Sequence, residues 1–131
     1  MGAVLCSDKI KFEIGKHVTT FGGNPLSCAA SIAAIDYMIK NNLAKQAKEK
    51  GEYFLNKFNK HNLNKVREVR GLGLMIGIEL KEKAKPYLLK LMEEGVLVLL
   101  AGPTVIRLLP PLTISYEELD IVIEKLVDVL K

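Results

Sequence analysis

The sequence predicts an α/β fold in which long helices precede a small, mostly antiparallel sheet with helices packed on one face. Two observations carry that expectation. Between Pro25 and Asn62 apolar residues recur with a helical period, whereas from Val66 the period falls toward two, as in a half-buried strand. The second observation is punctuation. Gly71, Gly73, Gly95, Gly102, Pro103, Pro110 and Pro111 divide the later chain into short apolar runs separated by turn signals.

Taken in order, residues 2–6 form a short apolar run that reads as one buried strand opening the chain. A strand with nothing before it to pair with implies that a segment is missing upstream. Residues 7–15 are polar and Lys-rich and read as loop. Residues 25–42 form the best-supported helix, apolar almost all round and therefore expected to be buried on several sides. Residues 43–62 follow as an amphipathic helix, with Leu43, Ala47, Phe54, Leu55 and Phe58 inward. Gly51 inside it costs about 1 kcal/mol relative to Ala, which points to a close packing contact.

Residues 66–70 predict a strand, Gly71-Leu72-Gly73 a turn or bulge, and residues 74–80 a central strand. A helix over 83–95 turns Tyr87, Leu88, Leu91 and Met92 inward and ends at Gly95. Strands over 96–100 and 104–109 flank the turn Ala101-Gly102-Pro103, and Pro110-Pro111 stops the ladder because proline donates no N–H. Ser115-Tyr116-Glu117-Glu118 has the S-x-x-E spacing of a capping box. The helix it starts carries an apolar stripe of Leu119, Val122, Ile123, Leu126, Val127 and Leu130. The organisation expected is residues 1–42 as the remnant of a larger domain, 43–65 as a linking helix and 66–131 as a small α/β domain.

Composition narrows the function classes. At 131 residues with 49% hydrophobic and 26% charged residues, the chain reads as globular rather than disordered. No apolar run approaches the roughly 20 residues that span a bilayer. The N-terminus has no basic n-region, so no signal peptide and a cytoplasmic location are expected. Cys6 and Cys28 lack a CxxC spacing and read as small buried hydrophobes rather than a disulfide or zinc set. His17 and His61 are not spaced as metal ligands, so no metal is expected. The net charge of +4 comes from lysines interleaved with acids, as over residues 45–52, which describes a solvated helix face. A nucleic-acid partner is not expected from that pattern, although the charge would suit an acidic partner.

The stretch from His17 to Leu26 is the chemical focus. Thr19 and Thr20 precede Gly22-Gly23-Asn24-Pro25, a loop emptying into a helix with Asn24 as N-cap and Pro25 in the first turn. Hydroxyls beside a helix N-terminus form either an anion site or simply a well-capped start. Arg107, in a strand, reads from pattern alone as an arginine paired to a glutamate.

His17-Val18-Thr19-Thr20-Phe21-Gly22-Gly23-Asn24-Pro25-Leu26 resembles the H-G-S-T-F/Y-G-G-N-P-L segment of the class-III, pyridoxal-phosphate-dependent aminotransferases. Val69 to Leu80 is similar to that family's V-R-G-x-G-L-M-x-G-I-E-L, residues 95–98 to its G-V-L-V, and residues 105–112 to its I-R-L-L-P-P-L. The likeness is greatest to the acetylornithine, acetyl-lysine and ornithine branch. It implies the C-terminal portion of a fold-type I aminotransferase, from a homodimer acting on a small amino-acid substrate and 2-oxoglutarate in arginine or lysine biosynthesis.

The resemblance also implies roles. Thr20 matches the threonine that holds the cofactor phosphate, reaching into the partner subunit's site. Thr19 matches a substrate-contacting Ser or Thr, and Arg107 the arginine that pairs with the substrate α-carboxylate. Val18 departs from the family's glycine, and Thr19 from its commoner serine. Met1 to Val4 resembles the end of the glycine-rich segment that follows the Schiff-base lysine, so no catalytic residue is expected here. Lys9, Lys11 and Lys16 lack that context. The chain alone is expected to be inactive and without bound cofactor, with its apolar N-terminal helix exposed and inviting self-association. The competing reading is a free-standing α/β sandwich serving as a non-enzymatic interaction or amino-acid-binding module.

Overall fold

The structure, a computed structural model, describes every residue except Met1, Ala3 and Ile14. The chain divides into two units, Met1–Asn41 and Asn42–Lys131.

Among its described residues the first unit contains one helix, α1 (Pro25–Lys40). Asn24 sits extended at its N-cap and Lys40 lies in its last turn, both matched to the helix ends. The helix forms as expected, two residues shorter than predicted, but not one of its residues is buried. Leu26 is 82% exposed and Ile39 73%. The exposed apolar surface expected of this helix is thus present. Gly2, Val4, Leu5 and Cys6 are not in a strand, since no neighbouring strand in this unit offers a ladder, and Ala3 lies outside the described residues. Cys6 is exposed and Cys28 half-buried, so neither is the core hydrophobe expected.

The second unit holds the core. Helix α2 (Leu43–Phe58) leads through a 3-10 turn (Asn59–His61) to the hairpin β1 (Val66–Leu72) and β2 (Met75–Leu80). Then come α3 (Lys85–Glu93), β3 (Leu99–Leu100), β4 (Val105–Leu108) and α4 (Tyr116–Leu130). The sheet order is β1-β2-β4-β3 and every pairing is antiparallel. Ile76, Ile78 and Leu80 on β2 and Ile106 and Leu108 on β4 point to one side, where they meet Phe54, Phe58, Leu91, Leu119, Ile123 and Leu126 from the helices. All of these side chains are buried.

Differences from expectation lie at element ends. Helix α2 stops at Phe58 and tightens into the 3-10 turn, because Asn62 adopts the left-handed region. The hairpin turn falls at Gly73-Leu74 and begins two residues later than predicted, so Gly71 and Leu72 still pair with Ile76 and Met75. Helix α3 ends in a Schellman motif: Gly95 at φ +82° donates to the Met92 carbonyl and Val96 to that of Leu91. Tyr87 and Leu91 are buried and Leu88 packs half-buried against the core; Met92 is exposed instead of inward. Strand β3 shrinks to two residues, with Val96 and Val98 buried by packing rather than laddered. The capping box at α4 is complete: Ser115 Oγ accepts from Glu118 N at 3.1 Å, and Ser115 N donates to Glu118 Oε2 at 2.7 Å.

Gly51 is explained by contact. A Cβ there would lie 2.1 Å from the Gly73 carbonyl oxygen, so the α2 backbone rests directly on the hairpin turn. We expect Gly51→Ala to destabilise the protein by roughly 1–3 kcal/mol in urea melts, overriding its gain in helix propensity. For α1, we expect sedimentation velocity to show concentration-dependent self-association that Ile32→Lys/Ile39→Lys weakens. A monomer at every concentration would contradict this.

Candidate functional site

The two parts of the sequence-predicted site fall in different units. Thr19 and Thr20 lie in the loop before α1, and both are exposed. The loop is closed by the Asn24 side chain. Its Oδ1 accepts from Ser27 N at 2.9 Å, while its Nδ2 donates to the Phe21 carbonyl at 2.8 Å and to Ser27 Oγ at 2.9 Å. One amide therefore ties the incoming loop to the first helical turn. Gly23 has φ +73°, which favours glycine. A Cβ on Gly22 would lie 2.3 Å from Thr19 Cγ2, so the loop folds back over Thr19. No hydrogen bond among the described residues uses either threonine hydroxyl. Upstream, the rings of Phe12 and His17 stack at 5.2 Å.

Arg107 lies in β4, opposite Gly77 of β2 and Leu99 of β3. The pleat turns it away from the buried Ile106 and Leu108, onto the face of the sheet that carries no core. Its Nε is buried without a hydrogen-bond partner. No ion pair among the described residues involves it, so the glutamate partner that pattern alone suggests is not there. A buried donor left unpaired costs about 1–3 kcal/mol, so this N–H is a favourable position for an acceptor. The side chain lines an open pocket of about 350 Å³ together with Arg70, Gly77, Met75 and Val105.

Arg70 was read from sequence as part of a strand and of the stretch from Val69 to Leu80, with no site role, and the structure brings it to this pocket. Its Nη1 donates to Glu79 Oε2 at 2.8 Å and to Glu68 Oε2 at 3.0 Å, while Arg67 Nη1 donates to Glu79 Oε1 at 2.9 Å. The hydrogen bond from Arg70, reinforced by Arg67, holds the Glu79 carboxyl below its ordinary value of 4.5. The alternation of charged and apolar residues in β1 and β2 contained the signal. The cross-strand register needed to use it did not exist in one dimension.

A family model, Aminotransferase class-III, matches residues 1–130. The chain belongs to the class-III aminotransferases. Among relatives of this family, the chain is 53% identical over 114 residues to the [LysW]-aminoadipate semialdehyde transaminase of Deinococcus radiodurans, an alignment covering 86% of this chain and 27% of that protein. It is 46% identical over 127 residues to ornithine aminotransferase 2 of Staphylococcus aureus, covering 95% of this chain and 32% of the relative. The crystal structure of acetylornithine aminotransferase from Elizabethkingia anophelis superposes with a TM-score of 0.82 at 32% identity, over 91% of this chain and 32% of that one. The Plasmodium falciparum ornithine delta-aminotransferase gives the same TM-score at 34% identity. The chain thus has the α/β fold of a portion of the fold-type I aminotransferases, and spans about a third of the length of these relatives. Among the described residues no helix is long and apolar enough to cross a membrane, and no cluster of metal-ligating side chains occurs.

The Glu79 pairing fixes a pH dependence. Because its folded value is depressed, its contribution to stability is present above the unfolded value and lost as the pH falls through the folded one. We expect urea midpoints to fall between about pH 5 and pH 3, and the Glu79→Gln variant to show a shallower fall over that window.

Proposed function

We propose that this chain is the C-terminal portion of an aminotransferase that moves an amino group between an acetylornithine- or acetyl-lysine-type substrate and 2-oxoglutarate. The observation that carries the reading is Arg107, a guanidinium held on a strand with its Nε buried and unpaired. A fork of N–H donors in a fixed plane binds a carboxylate through two parallel hydrogen bonds, and a strand keeps it in position. Arg107 takes the substrate α-carboxylate, and Thr19 a further group of the substrate. The 53% identity to a [LysW]-aminoadipate semialdehyde transaminase supports the lysine-biosynthetic branch, and the ornithine and acetylornithine relatives support the arginine-related one.

The donor set in the loop fits a phosphate. The Thr19 and Thr20 hydroxyls are exposed and uncommitted at the N-terminus of a 16-residue helix whose first-turn N–H groups bear partial positive charge. Thr20 therefore holds the phosphate of pyridoxal phosphate, which when bound supplies the electron sink for amino transfer. In the homodimer that loop serves the partner subunit. Residues 1–42 belong to the cofactor domain, 43–65 link, and 66–131 form the small domain. The complete enzyme works in the cytoplasm. Of the nearby lysines, Lys16 is ion-paired to Glu13 at 2.7 Å, and neither it, Lys9 nor Lys11 lies in a glycine-rich setting. No residue of this chain acts as the Schiff-base lysine, so the chain by itself is inactive.

The test is to mix the chain with pyridoxal phosphate, reduce with borohydride and map modified peptides by mass. We expect no stoichiometric attachment at any one lysine and no transamination. A single fully modified lysine would overturn the assignment. The free-standing binding-module reading gains nothing specific from the site, because the same Arg107 serves both and the family match spans nearly the whole chain.

A further inference from the structure

The two edges of the sheet differ in chemistry. Strand β1 ends it on one side with Arg67, Glu68 and Arg70 exposed and an irregular register between Val66 and Glu68. Charges and a bulge keep an open edge from pairing with another chain. Strand β3 ends the sheet on the other side and has neither. Residues 95–101 contain no charged side chain and no proline. Leu97 is 83% exposed and Leu99 51%, whereas Val96 and Val98 are buried, the two-residue alternation of an extended chain. The backbone there is also unpaired on its outer side. Hydrogen-bonded and non-hydrogen-bonded pairs alternate along an antiparallel ladder. The Ala101 N–H donates to the Val105 carbonyl at 3.0 Å, which makes Leu100–Ile106 a non-hydrogen-bonded pair. The N–H and C=O of Leu100 therefore point away from β4 to the open edge, and two residues back those of Val98 do the same. No strand among the described residues lies beyond β3.

We propose that residues 96–100 are an interaction surface for a second copy of this chain, pairing antiparallel with the same residues about a two-fold axis at Val98. In that register Leu97 lies opposite Leu99 of the second copy, and Val96 opposite its Leu100. The exposed leucines cover one another on the outer face, while Val96, Val98 and Leu100 share the inner one. A slip of one residue would set Leu97 against a valine of the other face. A slip of two would bring Glu94 or Gly102 into the ladder. The outward N–H and C=O groups of Val98 and Leu100 become the rungs of the new pairing. Strand β1 of a second copy is a poorer occupant, because it would set Leu97 or Leu99 against Arg67, Glu68 or Arg70. The two-fold arrangement consumes both β3 edges and leaves only the charged β1 edges outside, so assembly stops at two copies. The surface lies within Asn42–Lys131 and does not use the apolar face of α1.

The experiment is sedimentation velocity on the 131-residue chain carrying Ile32→Lys/Ile39→Lys, which takes the apolar face of α1 out of the comparison. A dimer that grows with concentration, and no larger species, is expected. Leu97→Lys and Leu99→Glu, each at an exposed side chain, should weaken the dimer about tenfold or more. Val98→Pro removes an outward N–H and should do the same. Because Val98 is buried, the two leucine variants keep the test decisive where the proline disturbs folding. An equimolar mixture of the Leu97→Lys and Leu99→Glu chains should regain the dimer, since the register sets the two substituted positions opposite each other. A mixture that fails to recover, a dimer indifferent to Leu97→Lys, or a chain that stays monomeric at every concentration each overturns the pairing.

Discussion

The pleat of β2 sends Ile76, Ile78 and Leu80 to one side and Gly77 and Glu79 to the other, and both the core and the candidate site depend on that alternation. On the inner side, three buried aliphatic residues meet Ile106 and Leu108 of β4 and the helices, and each is worth roughly 1.5–3 kcal/mol of burial. On the outer side, the same strand supplies the carboxylate that holds Arg67 and Arg70 and the bare position between Arg70 and Arg107. A one-residue slip would exchange the two faces, putting Glu79 into the core and the isoleucines into water. The register is therefore fixed by the hydrophobic effect, and the geometry of the arginines is inherited from it.

Within that frame the charges are arranged unequally. Arg67, Arg70, Glu68 and Glu79 neutralise one another at the surface, where individual ion pairs contribute little to stability. Arg107 stands one strand away with a buried Nε, and among the described residues it makes no ion pair. A protein that needed only stability at this position would gain from a neutral side chain or a paired one. The unpaired arginine makes sense as a group whose partner arrives from outside, and the balanced cluster beside it keeps the neighbouring glutamates from becoming that partner.

Much of this was legible in the sequence, and what was not legible has a physical reason. The α4 stripe and its capping box were written in local spacing, and Leu119, Ile123, Leu126, Val127 and Leu130 are buried where the period puts them. Gly51 announced a close contact without naming the Gly73 carbonyl that makes it. Element ends were missed where packing rather than pattern decides, as in β3, where Val96 and Val98 are buried but unpaired. The exposure of α1 was legible too: an apolar helix states that something should cover it, and within its own unit nothing does. Arg107 could be singled out along the chain. Its pairing opposite Gly77, and hence its proximity to Arg70, is a property of the folded sheet alone.

The two parts of the candidate site are held by different physics. The threonine loop is organised by contacts among residues 19–27: the Asn24 amide, the Gly22 fold-back over Thr19 and the first turn of α1. None of these requires a hydrophobic core, and its own unit supplies none. Arg107, by contrast, is placed by long-range strand pairing whose rigidity comes from the core beneath it. A change to the core therefore moves Arg107 and leaves the threonine loop formed, while loss of the Asn24 amide loosens the loop and leaves the sheet intact. The threonine loop is encoded locally and the placement of Arg107 globally, and only the first could be recognised from a run of ten consecutive residues.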